Sequence, residues 1–146
     1  MDNDLLTVDN IILNVDASDY KDAIFVAGKI LADKGYITDT YINNMIDAVS
    51  TMGPYMVLMP GFALVHAEPC KDVIKTSMSI ITLNEGVNFG SVNDPVKLIM
   101  CLACTDKSSH IDALKNIATN LLKDNMIDNL LQCQSKEELY KTLKGE

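Results

Sequence analysis

The run Val96-Lys97-Leu98-Ile99-Met100-Cys101-Leu102-Ala103-Cys104 carries a single charge, and both of its alternating sets of side chains are apolar. A strand sends successive side chains to opposite faces, so this run has no face to give to water. It has to lie inside a sheet that is covered on both sides. Tyr55-Met56-Val57-Leu58-Met59 is apolar throughout in the same way and reads as a second buried strand.

Other segments supply the partners and the cover. Ile11-Ile12-Leu13-Asn14-Val15 and Ser77 to Leu83 are rich in β-branched residues and read as strands, and Phe62 to Ala67 is apolar up to a histidine. Asn84-Glu85-Gly86 reads as a turn, with Val87-Asn88-Phe89 as a short edge strand after it. Between Ser18 and Gly35, the residues Ala23, Val26, Ala27, Ile30 and Leu31 recur at helical spacing. Thr38 opens a second helix, closed by Gly53-Pro54, with Tyr41, Ile42, Met45, Ile46 and Val49 on its inner face. From Ser108 or Ser109 the pattern is helical again, with Leu114, Ile117, Ala118, Leu121 and Leu122 as its stripe. A short helix spans Asn125 to Leu131, and Ser135 with Glu138 forms a capping box for the last one. The order of strand, two helices, a group of strands and then helices predicts one mixed α/β layered domain over residues 1–146.

Charge excludes some function classes. The net charge is −8, with 12 lysines and no arginine. Affinity for nucleic acid comes mainly from cations on phosphates, so this chain is a poor candidate, and equally poor for an anionic membrane surface. An acidic surface suits a basic protein partner, although solubility alone accounts for it. The acidic start Met1-Asp2-Asn3-Asp4 lacks the features of a signal peptide, and the longest apolar run is broken by Pro60-Gly61. The expectation is a cytoplasmic protein whose Cys70, Cys101, Cys104 and Cys133 are reduced.

The chain has 2 histidines, and both sit where elements end. His66 closes an apolar segment, and His110 lies between a buried strand and the start of a helix. Strand ends and the loops after them are where α/β proteins place their sites. Imidazole is a nucleophile that is neutral near pH 7 and leaves easily, which suits relay of a phosphoryl group. A buried histidine bonded to a backbone carbonyl fits the position of His66 equally well, and a helix-capping role fits His110. Asp106 and Asp112 flank His110 and could hold an imidazole in one tautomer, although solvated surface charge is the plainer reading. Cys101 and Cys104 have CxxC spacing, but residues three apart on a strand face opposite ways and no second ligand pair stands at suitable spacing, so a metal site is not expected. Cys70 and His66 would make a nucleophile pair for a Cys-His hydrolase, without an evident third group. Met52, Met56 and Met59 precede the histidine segment and read as core filling, with an adaptable docking surface for partners as the alternative.

Pro60-Gly61-Phe62-Ala63-Leu64-Val65-His66-Ala67 resembles the PG-x-A-L-P-H-A signature of enzyme IIA domains of the bacterial phosphoenolpyruvate-dependent sugar phosphotransferase system, of the mannitol/fructose-type superfamily. Met52 to Val57, Phe89-Gly90 and Asn93 to Leu98 look most like the ascorbate-type branch, and Asp106 to Leu114 resembles the family's second histidine with its helix. The likeness runs from about Asp39 to Leu143. The resemblance implies an α/β fold with a mixed sheet flanked by helices on both faces. It implies that His66 takes a phosphoryl group from the carrier HPr and passes it to an enzyme IIB, with His110 as the supporting histidine. It implies no metal or organic cofactor, contact with a membrane enzyme IIC only through IIB, and an ascorbate-type sugar. Related domains also act as regulatory modules that signal through their phosphorylation state. Two residues depart from the pattern: Val65 replaces the usual proline, and Glu68 stands where ascorbate-type relatives often carry a basic residue. A carboxylate there repels a phosphohistidine unless it is turned away or offset by Lys71 or Lys75. Phe62, Leu64 and Met56 are the expected apolar rim for the partners.

Overall fold

The computed structural model describes residues 5–144, so the acidic start Met1–Asp4 lies outside the described residues. Five strands and five helices follow in the order β1 (Ile11–Val15), α1 (Tyr20–Asp33), α2 (Asp39–Met52), β2 (Val57–Met59), β3 (Phe62–Val65), β4 (Ser77–Val87), β5 (Val96–Ala103), α3 (Lys107–Leu121), α4 (Met126–Leu131) and α5 (Lys136–Lys144). The sheet order is β1-β4-β5-β3-β2. β1 runs parallel to β4 and β3 parallel to β5, whereas β4–β5 and β2–β3 are antiparallel. The mixed sheet and its two helical layers agree with the sequence expectation.

β5 occupies the middle of the sheet because its alternation serves two cores. Ile99, Cys101 and Ala103 join Ala63 and Val65 of β3 beneath α1 and α2, with Ile24, Leu31, Tyr41 and Met45 above them. Leu98, Met100 and Leu102 join Phe62 and Leu64 on the opposite face, packed by Ile117, Leu121, Leu130 and Leu139 of α3–α5. Cys101 and Cys104 fall into opposite cores, so the CxxC spacing brings no pair of thiols together.

Several expectations are corrected. β2 is a three-residue edge strand paired only with β3, and its Leu58 is 45% exposed. An apolar run shows that a strand packs, but not whether it has one neighbour or two. Asn84-Glu85-Gly86 is not a turn. It continues β4 to Val87, across an irregular register in which Val87 faces Val96, and Asn88 and Phe89 lie beyond the strand. The turn-forming residues are overridden by local packing: Asn84 Nδ2 donates to Asn14 O at 3.0 Å and Asp16 Oδ1 at 2.8 Å. A Cβ on Gly86 would stand 2.6 Å from Pro95 Cβ, so the strand passes there only without a side chain. Leu122 is 70% exposed just past the end of α3, where the helical stripe has already turned away.

The helix starts also shift. α1 is capped by Asp19, whose carboxylate accepts from Asp22 N at 2.8 Å, while Ser18 N donates back to Asp22 Oδ2. α3 begins at Lys107, with Asp106 as its cap rather than a serine: Asp106 Oδ1 accepts from Ser109 N at 2.8 Å. Thr38 precedes α2 as expected, but its hydroxyl donates to Asp72 Oδ1 at 2.9 Å instead of capping. The Ser135–Glu138 cap forms, with Ser135 Oγ accepting from Glu138 N.

Gly86→Ala is expected to destabilise the fold by about 1–3 kcal/mol through overpacking against Pro95, read from urea unfolding at unchanged m-value.

Candidate functional site

β3 and β5 run parallel, and Val65 pairs with Cys101 at the end of β3. Their C-terminal ends therefore open on the same edge of the sheet. His66 is the first residue beyond β3. β5 leads through Asp106 into α3, whose first turn carries His110. This parallel pairing brings the two histidines together, with ring centroids 5.4 Å apart. Tyr55 meets the His66 ring edge-on, with centroids 5.7 Å apart. An open cleft of about 630 Å³ lies alongside, walled by Asn44, Asp47, Ala48 and Met52 of α2 and by Tyr55, Glu68, Cys70 and both histidines.

The tautomer of His66 follows from one hydrogen bond. Its Nδ1 lies 2.8 Å from the Leu64 carbonyl oxygen. A carbonyl only accepts, so Nδ1 carries the proton and Nε2 keeps its lone pair. The backbone-bonded and the nucleophilic readings of this residue thus coexist: one nitrogen anchors the ring and the other is free to react. The pKa of His66 lies below the usual histidine value, chiefly because the ring is largely buried. The Leu64 carbonyl opposes this, His110 adds to it, and Glu68 opposes it weakly. The imidazole is therefore neutral at neutral pH, as a nucleophile requires.

His110 Nδ1 is buried and has no hydrogen-bond partner among the described residues. Neither flanking acid holds it. Asp106 is committed to capping α3, and the Ser109 N–H holds its carboxyl below the usual carboxylate range. Asp112 is exposed on the helix. The Cys-His pairing is also absent: the Cys70 thiol faces Asp72 Oδ2 at 4.0 Å, while His66 Nδ1 is engaged by Leu64.

The expected rim is corrected too. Phe62 and Leu64 are fully or almost fully buried because β3 lies inside the sheet, and Met56, just before β2, is fully buried in the core under α1 and α2. The large apolar groups that surface at the cleft are Met52 at 66% exposure and Tyr55 at 43%. Glu68 is exposed and lines the cleft, and no lysine lines it. Lys75, one of the two expected to offset it, sits over the Tyr36 ring at 4.7 Å. Val65 is a buried strand residue, which carries β3 right up to His66.

Tyr41 was legible in the sequence only as an inner-face residue of α2. In the structure its hydroxyl accepts from Ala67 N at 3.0 Å and lies 3.0 Å from Leu102 O and 3.1 Å from Ala67 O. Burial pushes its pKa far above the ordinary tyrosine value, so the phenol stays protonated. The usable signal was the residue type, since a buried tyrosine hydroxyl needs a partner.

The family model described as "Phosphoenolpyruvate-dependent sugar phosphotransferase system, EIIA 2" matches residues 4–146. This chain belongs to that family. It is 36% identical over 123 residues to the mannitol-specific cryptic phosphotransferase enzyme IIA component of Escherichia coli K12, covering 84% of both chains. Identity to the ascorbate-specific enzyme IIA component of Shigella flexneri is 30% over 129 residues, covering 87% of this chain and 84% of that one. The enzyme IIAMTL structure solved in complex with phosphorylated enzyme IIBMTL of Escherichia coli superposes with a TM-score of 0.84 at 26% identity, covering 97% of this chain and 98% of that one. Enzyme IIA components of this system are phosphotransferases that pass phosphoryl groups through a histidine, and this chain is one of them. Identity to the mannitol-type relative exceeds that to the ascorbate-type one, so the ascorbate-type sugar implied by the sequence blocks gives way to the broader statement of a sugar phosphotransferase component. Among the described residues, no helix is long and apolar enough to cross a membrane.

The lowered pKa of His66 has a consequence for stability. Between the folded pKa and about 6.5 the unfolded chain binds more protons at this residue than the native one does. Its contribution is therefore complete above about pH 6.5 and is lost as pH falls toward the folded value. The unfolding free energy of the wild type should drop more steeply than that of His66→Ala from about pH 7 to about pH 5.5, as measured by urea titrations at each pH.

Proposed function

We propose that His66 is the phosphoryl acceptor, that the donor is phospho-HPr, and that the acceptor in turn is a cysteine of a cognate enzyme IIB. The observation that carries this is the 2.8 Å bond from Nδ1 to Leu64 O, which leaves Nε2 as the free nitrogen beside the cleft. In the first step the Nε2 lone pair attacks phosphorus in line with the donor's N–P bond. The Nε2–P bond forms as that bond breaks, the bonding pair returns to the donor imidazole, and Nδ1–H stays on Leu64. The second step runs the same way, with a thiolate as attacking group and the His66 Nε2 pair as leaving group. Since little covalent chemistry falls to the protein, its work is placement and charge stabilisation.

His110 is the supporting residue. Its ring packs against that of His66, and it stands at the start of α3. It narrows the space in which the phosphoryl group is held and offers a ring N–H toward its oxygens. In this reading the exposed Met52 and Tyr55 form the apolar rim on which both partners dock in turn.

Incubation with labelled phosphoenolpyruvate, enzyme I and HPr tests the assignment. Wild type should take up one phosphoryl group per chain on Nε2, and His66→Ala none. His110→Ala should still label, about ten- to a hundredfold more slowly, somewhat less than the loss of a full oxyanion-hole donor. Wild-type uptake by His66→Ala removes the proposal, and unchanged rates for His110→Ala remove its supporting role.

A further inference from the structure

Among the described residues Tyr41 makes no hydrogen bond or ring pair with either imidazole, yet its hydroxyl joins the two backbone segments from which they project. The phenol ring is fully buried beneath α2, with the oxygen at the ends of β3 and β5. The oxygen receives the Ala67 N–H at 3.0 Å, one residue past His66. The hydroxyl has a single proton and two carbonyls in reach, Leu102 O at 3.0 Å and Ala67 O at 3.1 Å. Ala67 is therefore fixed through its N–H, and the proton, shared between the two carbonyls, ties the end of β5 through Leu102 O at the shorter of the two distances.

The geometry of His66 makes this tie matter. Its ring is bonded to a carbonyl only two residues back, so its direction is set by the backbone at Val65 and His66. On one side that backbone is fixed by the pairing of β3 with β5, down to Val65 opposite Cys101. On the other side strand pairing has ended, and the next backbone N–H along the chain is the one held by Tyr41. The same hydroxyl reaches Leu102, from which the chain runs through Asp106 to His110.

We propose that Tyr41 is a positioning residue for the phosphoryl acceptor: through backbone bonds at Ala67 and Leu102 it fixes the orientation of His66 and its spacing from His110. The proposal rests on the reading of His66 as acceptor. It predicts that removing one oxygen atom, with the ring left in place to pack, frees the His66 tautomer and slows transfer without unfolding the protein.

The test is Tyr41→Phe, compared with Ser79→Ala. Ser79 Oγ donates to Ala27 O at 2.7 Å, so Ser79→Ala deletes another buried hydroxyl-to-carbonyl bond between the sheet and a helix, away from the cleft. The first readout is the pair of ¹⁵N ring shifts of His66 in the unphosphorylated protein. Wild type and Ser79→Ala should show one Nδ1–H tautomer, and Tyr41→Phe a mixture. The second is phosphoryl uptake from phospho-HPr, expected about ten- to a hundredfold slower in Tyr41→Phe at unchanged stoichiometry, as sub-ångström misplacement produces. Unchanged His66 shifts in Tyr41→Phe, or the same shift change in Ser79→Ala at equal loss of Tm, overturn the proposal. Should Tyr41→Phe fail to fold, hydrogen exchange on the wild type decides: a protected Ala67 amide supports the clamp, and a freely exchanging one removes it. Label found on a residue other than His66 would sink the acceptor reading, while the tautomer measurement would still report on Tyr41.

Discussion

Every other placement in the structure follows from β5 being buried on both faces. A strand with Leu98, Met100 and Leu102 on one side and Ile99, Cys101 and Ala103 on the other demands two apolar layers, and the five helices divide between them. It also demands a partner at each edge. β4 takes one in antiparallel register and β3 the other in parallel register. The parallel choice has the larger consequence, because it puts the end of β3 and the end of β5 on the same rim. A site assembled from those two ends inherits its dimensions from the spacing of two neighbouring strands.

That rim gathers groups that lie far apart in the chain. His66 arrives from β3, His110 from the helix after β5, and Tyr41 from a helix that precedes both. His66 and Tyr41 are held by backbone polar groups rather than by another charged side chain. His66 leans on Leu64 O, Tyr41 bridges Ala67 and Leu102, and α3 is set by the Asp106 carboxylate on Ser109 N. The backbone bonds at His66 and Tyr41 position both side chains without adding fixed charge, and they leave Nε2 of His66 unencumbered.

Much of this was legible in the sequence, for identifiable reasons. β5 was plain because its apolar character holds at both parities, and the helix stripes because their spacing repeats over several turns. His66 and His110 stood out as titratable residues at element ends, and the blocks around them pointed to the family. What was not legible is what depends on partners distant in sequence. Nothing local distinguishes β2, an edge, from a central strand. Asn84-Glu85-Gly86 has turn composition, and only Asn14, Asp16 and Pro95 explain why the chain stays extended there. Phe62 and Leu64 sit beside His66 in sequence but point into the cores, so exposure could not be inferred from adjacency. The role of the Tyr41 hydroxyl is of the same kind, since its two backbone partners lie 26 and 61 residues away.

The cleft beside His66 has Asp47 and Glu68 on its walls and no lysine. On the reading of His66 as acceptor, a phosphoryl group there would sit among like charges with only peptide dipoles and an imidazole for relief. Such a bond is held under electrostatic pressure, and the pressure falls when a cation approaches from outside. The apo-protein would then be a poor reservoir and a good conduit: its phosphorylated form is most stable while a basic partner covers the cleft, so loading and unloading become properties of the encounter complex rather than of the isolated chain. Because those carboxylates border solvent, ionic strength would tune this dependence directly.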